Sequence, residues 1–253
     1  LKRTFLWTTA LAYRSVEIIR ALLHALMEDP TMTQNAHTGS HNNRKTSSND
    51  NSHNRSNGGF EMVVLAASAG GINALGEILS ALPDDFPIPV AIVQHRSAKL
   101  PSLLARVLGR RTKLGVKTAI EGERLHPGTV YLAPPDKHLV IRPDQTLMLS
   151  DGHKIRYVLS SANPLFTSAA EAFHGRVIAV VLTGGDADGT DGVQSVKAAG
   201  GVVIAQNQAT SEHFAMPKSA IATGCVDYVL PLEYIAPTLL RLVKRGHKMK
   251  LEV

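Results

Sequence analysis

Met62-Val63-Val64-Leu65-Ala66-Ala67-Ser68-Ala69-Gly70-Gly71 is the stretch whose reading decides the fold. Six apolar residues run without a polar interruption, as in a strand buried on both faces. The run stops at a serine and two glycines, and a helical pattern over 71–81 follows. A strand that feeds a helix through a glycine turn opens a βαβ unit.

The same alternation repeats outward from it. Further strand-length apolar runs are Val90–Val93, Thr129–Ala133, Leu139–Ile141, Val177–Thr183, Val202–Ala205 and Tyr228–Leu230. Helical patterns lie at 100–109, 164–174, 189–199, 217–223 and 233–245. This predicts an α/β fold, a doubly wound, mostly parallel sheet in a single domain. Residues 113–158 are punctuated by Glu121-Gly122, Pro127-Gly128, Pro134-Pro135-Asp136 and Asp151-Gly152. Short strands between such turns predict an antiparallel hairpin extension on one edge of the sheet.

In open α/β sheets, functional groups gather beyond the carboxyl ends of strands. Three strong strands end in chemistry: Ser68 after the first, Gln94-His95 after the second, and Gly184-Gly185-Asp186-Ala187-Asp188-Gly189 after Val177–Thr183. Each has a plain structural role available. Ser68 could cap the following helix, His95 could be a loop histidine, and the 186–191 aspartates could make turns. Together they are the parts of an activated serine. A hydroxyl becomes a nucleophile when a base takes its proton. Histidine is the usual base, and a carboxylate fixes its tautomer. A helix N-terminus beside Ser68 offers N–H groups to an oxyanion. The spacing leaves Asp186, Asp188 and Asp191 all open as the acid. The chain order Ser, His, Asp and the absence of G-x-S-x-G exclude the α/β-hydrolase pattern. A calcium loop is excluded too, because Asp191 and Lys197 stand where an EF-hand needs glycine and glutamate.

Charge says little about substrate. The chain has 253 residues and a formal charge of +6. Residues 1–59 carry +3 and 241–253 carry +4, while 60–240 carry −1. The central block therefore lacks the basic stripe of a nucleic-acid binder. The single cysteine, Cys225, excludes an intramolecular disulfide and a multi-cysteine zinc site and fits a reducing cytoplasm. Residues 33–58 are rich in Asn, Ser, Thr and His and read as a disordered polar linker. Their His37, His41 and His53 are irregularly spaced and read as part of that tract rather than as metal ligands. Residues 1–31 hold an apolar stretch interrupted by Arg14, Glu17 and Arg20. It is too short for a membrane span and lacks a cleavage site for a signal peptide. We read it as a doubtful extension ahead of the native start, and 246–253 as a basic C-terminal tail.

Residues 60–245 resemble the catalytic domain of the bacterial chemotaxis protein-glutamate methylesterases, the CheB type. Ala66-Ala67-Ser68-Ala69-Gly70-Gly71 is similar to their nucleophile turn and Val93-Gln94-His95 to their histidine segment. Leu182-Thr183-Gly184-Gly185-Asp186-Ala187-Asp188-Gly189 is similar to their aspartate segment. Tyr131–His138, Ala205–Ser211 and Phe214–Pro217 also match, in the same order. The resemblance implies a catalytic triad of Ser68, His95 and Asp188, no metal or organic cofactor, and hydrolysis of glutamyl methyl esters on the cytoplasmic helices of chemoreceptors. It extends to deamidation of receptor glutamines. It implies a cytoplasmic enzyme without membrane insertion or nucleic-acid partner, which we expect to be monomeric. Two departures stand out. Gly185-Asp186 replaces the family's usual Met-Gly, and Leu159-Ser160-Ser161-Ala162-Asn163 replaces an Arg-Pro-Ser-Val-Asp-like stretch. The residues ahead of 60 are too few and too polar for the receiver domain that the family normally carries. Two alternatives remain: a non-catalytic phosphate- or flavin-binding module, and a triad hydrolase with a non-chemotaxis protein substrate.

Overall fold

The computed structural model describes residues 59–96, 103–151 and 160–250. The polar linker and the N-terminal extension lie outside them. Nine strands and six helices follow in chain order among the described residues. They are β1 (Met62–Ala67), α1 (Gly71–Ser80), β2 (Val90–Gln94), α2 (Leu104–Gly109), β3 (Gly115–Thr118), β4 (Thr129–Leu132), β5 (His138–Ile141), β6 (Leu147–Ser150), α3 (Ala162–Ala172), β7 (Val177–Val181), α4 (Thr190–Ala198), β8 (Val202–Gln206), α5 (Ala215–Ala222), β9 (Tyr228–Leu230) and α6 (Leu232–Lys250).

Seven strands form one sheet in the order β3-β4-β2-β1-β7-β8-β9, and every pairing in it is parallel. Alternate residues of β1 enter different cores. Met62, Val64 and Ala66 join the face covered by α3 and α4. Val63, Leu65 and Ala67 join the face covered by α1, α2 and α6. All six are buried, which is why the run needs no polar residue. Fully burying side chains of this size stabilises by about 1.5–3 kcal/mol each for the larger ones.

The doubly wound fold is present as expected. The antiparallel pair is present too, but as a separate two-stranded ribbon of β5 and β6 rather than a continuation of the sheet edge. The reason lies in β3. Its four residues pair parallel with β4, Gly115 opposite Thr129 through Thr118 opposite Leu132. The edge position beside β4 is thus filled by a parallel strand rather than by a hairpin. The ribbon instead packs Leu139, Ile141 and Leu147 into the α3 face, and the Ile141 amide donates to Ser168 Oγ at 3.0 Å. Helix α6 runs past 245 to Lys250, into the stretch expected to be a tail. Among the described residues no helix is long and apolar enough to cross a membrane.

The sheet order fixes where a site can form. The loop after β1 leads into α1 on one face, and the loop after β7 leads into α4 on the other. β1 and β7 are neighbours, so their carboxyl ends splay and leave a crevice between them.

Candidate active site

Ser68 leaves β1 on a turn tied down by the neighbouring strand. Its amide donates to Thr183 O at 2.9 Å, and its carbonyl accepts from Gly71 N at 2.9 Å. Thr183 Oγ1 donates to Ala69 O at 2.9 Å. Gly70 adopts φ 77 as the residue ahead of α1, a conformation that costs a side-chain-bearing residue about 1–2 kcal/mol. At Gly71 an added Cβ would lie 2.3 Å from Gln94 Oε1 and 2.6 Å from Ala67 Cβ, so only glycine fits. No side chain caps α1. The capping role open to Ser68 is therefore not the one it plays. The Gly71 N–H is taken by Ser68 O, but no side chain caps the rest of the first turn of α1, whose N–H groups can meet an incoming oxyanion.

His95 leaves β2, the other neighbour of β1. Its amide donates to Ala67 O at 3.0 Å. The buried Gln94 joins the two strand ends, its amide nitrogen donating to Ser68 O at 2.8 Å and to His95 O at 3.0 Å. The backbones carrying Ser68 and His95 are thus set against each other by one side chain.

The third element is the loop between β7 and α4. Asp188 is 2 % exposed, and its Oδ2 lies 2.8 Å from His95 Nε2. The same oxygen accepts from the Ala162 amide at 2.6 Å, and Oδ1 accepts from Ser161 Oγ. Asp188 therefore sits in a cradle built by the entry to α3. Burial raises its pKa, but hydrogen bonds from His95, the Ala162 amide and Ser161 outweigh that, and it lies below the usual carboxylate value. Asp191, the third candidate acid, is instead bonded by Asn163 Nδ2 at 3.3 Å at the start of α4.

Asp186 was open as the acid on spacing alone, and the geometry gives it a different position. Its Oδ2 lies 3.1 Å from His95 Nδ1, and its Oδ1 accepts from the Asp188 amide at 3.0 Å. Both ring nitrogens of His95 thus face carboxylates. The Ser68 hydroxyl is not a hydrogen-bond partner of the ring among the described residues. Burial pulls the imidazole pKa down, but the hydrogen bonds and charges of Asp186 and Asp188 outweigh it. The result is a rise from 6.5 to about 9.

Two further contributors were not found by reading strand ends. Ser161 and the Ala162 amide reach Asp188 from 27 and 26 residues away in the chain; the signal is the departing stretch 159–163, whose serine keeps the family's residue. Glu212 lies over the nucleophile turn, its Oε2 2.7 Å from where a Gly70 Cβ would stand. Its loop is fixed by His213, whose amide donates to Thr183 Oγ1 at 2.8 Å and whose carbonyl accepts from Gly184 N at 2.8 Å. Among the described residues no group of three or more His, Cys, Asp or Glu is arranged to hold a metal ion.

A family model described as CheB methylesterase matches residues 63–239. The chain is 41% identical over 183 residues to a Leptospira interrogans protein provisionally named protein-glutamate methylesterase/protein-glutamine glutaminase, covering 72% of this chain and 95% of that one. It is 44% identical over 183 residues to the protein-glutamate methylesterase/protein-glutamine glutaminase of group 3 operon of Rhizobium meliloti, covering 72% of this chain but 52% of that protein. The fold is similar to the crystal structure of the Thermotoga maritima CheB methylesterase catalytic domain, with a TM-score of 0.69 and 39% identity over 73% of this chain and 99% of that one.

Proposed function

The chain belongs to the CheB methylesterase family, and from that premise we propose that it is a serine hydrolase removing methyl esters from glutamyl side chains of chemoreceptors. Ser68 is the nucleophile, His95 the base and Asp188 the group that holds the ring. Because Nε2 faces Asp188, Nδ1 is the ring atom that takes the Ser68 proton. Ser68 Oγ attacks the ester carbonyl, and the oxyanion forms beside the open first turn of α1. The protonated ring then gives its proton to the leaving methoxide, releasing methanol. Water, deprotonated by the same ring, opens the acyl-enzyme to glutamate. With a glutamine substrate the same steps release ammonia. The chain acts in the cytoplasm on methylated receptor helices, as a monomer.

The observation that carries this reading is His95 held by the buried Asp188 on the strand next to the one that ends in Ser68. An anion-binding module is disfavoured by charge. Glu212 lies over Gly70 and Asp186 lies beside His95, and two carboxylates repel a phosphate from that helix end.

The test is methanol release from methylated receptor by the full chain. Wild type is expected to release methanol, and Ser68→Ala to lose about 10⁴-fold or more. Undiminished release by Ser68→Ala would overturn the mechanism. Silence of the wild type on receptor with turnover of another protein ester would move the substrate, not the chemistry.

A further inference from the structure

A neutral imidazole has one N–H and one lone pair, whereas an imidazolium has two N–H donors. His95 has a carboxylate oxygen at each ring nitrogen, Asp188 Oδ2 at 2.8 Å and Asp186 Oδ2 at 3.1 Å. A carboxylate accepts and does not donate, so only the doubly protonated ring satisfies both contacts. The two acids differ in setting. Asp188 is buried, and three hydrogen bonds, from His95, the Ala162 amide and Ser161, fix it. Asp186 has a side chain 38% exposed and stands in the turn where the family pattern has glycine. It also sits on Nδ1, the nitrogen that must be bare to take the serine proton.

We infer that Asp186 is a positioning residue that holds His95 as an imidazolium and competes with Ser68 for Nδ1, so that the resting site is self-restrained. This rests on the reading of His95 as the base of Ser68. The step that frees the site is a proton dissociation. The Nδ1–H proton leaves to solvent base, and the lone pair it leaves behind, once Asp186 no longer occupies it, accepts the Ser68 hydroxyl proton. The ring has to lose its Nδ1 proton and Asp186 to turn aside from that nitrogen before the serine can react.

Other charges around the ring do not supply this effect. Arg96, next in the chain, donates to Ala133 O at 3.0 Å and has Asp136 beside it. Glu212 and His213 approach from the loop after β8 and pair with each other at 3.7 Å, and Glu212 lies over Gly70 in the serine turn.

The experiment follows His95 Cε1–H by NMR in the full chain, its signal identified by its loss in His95→Gln, alongside the pH profile of methanol release. In wild type the ring is expected to titrate near 9, with the rate rising over the same range. Asp186→Asn keeps an acceptor for the Asp188 amide but removes the charge, and its amide can donate to a bare Nδ1. It should lower the ring's titration by about one unit or more, a tenfold loss of proton affinity. The rising limb of kcat/KM should move toward neutral with it, raising the rate at pH 7. Asp186→Gly should move both in the same direction. An unchanged titration midpoint in both variants overturns the inference. So does a loss of activity at every pH with no movement of the limb, which is what a purely structural turn residue would give. A shifted titration with no methanol from any variant supports the role of Asp186 and overturns the esterase reading instead.

Discussion

Asp188 shows how much of this site one residue collects. Three donors converge on its carboxylate, from His95, the Ala162 amide and Ser161, and they keep it ionised although it is buried. The chain has to bend sharply to bring Ser161 and Ala162 there. Ser160 takes up that bend with φ 70, at 1% exposure and with its hydroxyl unpaired. A left-handed serine costs about 1–2 kcal/mol, and an unpaired buried hydroxyl about 1–3 kcal/mol. Ser160→Gly removes both, against a cost of about 0.5–1 kcal/mol in unfolded-chain entropy. We expect it to stabilise the protein by roughly 1–4 kcal/mol, read as a higher midpoint in urea. A lower midpoint would mean that Ser160 Oγ has a partner in solution.

At the scale of elements, the strand ends are packed too closely to tolerate small additions. Gly184 follows β7, and a Cβ there would lie 2.3 Å from Met216 Sδ and 2.9 Å from Ser68 Cβ. Met216 is fully buried and has nowhere to retreat. Gly184→Ala should therefore displace Ser68, lowering kcat for methanol release about 10²-fold, as a misplacement near 1 Å does. A stability loss on the order of 1–3 kcal/mol should accompany it. Normal kcat with a normal midpoint would show that α5 can move away.

These elements also show what could be read in advance. β1, β2, β7 and β8 are continuous apolar runs because both their faces are covered, and such runs stand out in one dimension. Ser68 and His95 each follow such a run, and so does the 186–191 aspartate cluster, within which only the family resemblance singles out Asp188. β3 could not. Gly115-Val116-Lys117-Thr118 is partly exposed at a sheet edge and carries no apolar run; only its pairing with β4 makes it a strand. β6 is similarly half covered. The contact of Asp186 with Nδ1 was invisible for another reason. It depends on the side-chain direction of one loop residue across a distance of 91 positions, and spacing alone left 186, 188 and 191 equivalent.

For the whole molecule, the two titrations bound a window of stability. His95 has a raised pKa, so the native state binds more protons than the unfolded chain between 6.5 and about 9. Its contribution is complete below 6.5 and is lost as pH rises through about 9. Asp188 is shifted the other way; its contribution is present above its ordinary value of 3.8 and is lost as pH falls below that. Unfolding free energy should thus be highest near pH 5–6 and fall by on the order of 2 kcal/mol toward pH 9.5. Urea melts of wild type and Asp186→Asn at three pH values test it. The variant should lose less between pH 6 and 9.5, and equal losses would remove His95 from the account.

The paired acids around His95 also give the reaction a direction. One imidazolium between Asp186 and Asp188 leaves the pocket with a net charge of about −1 before any ligand arrives. A methyl ester enters without charge, but hydrolysis turns it into an anion inside that pocket. Repulsion then favours its expulsion and opposes its return, so accumulated free carboxyl groups on the substrate should be weak competitors of the remaining esters.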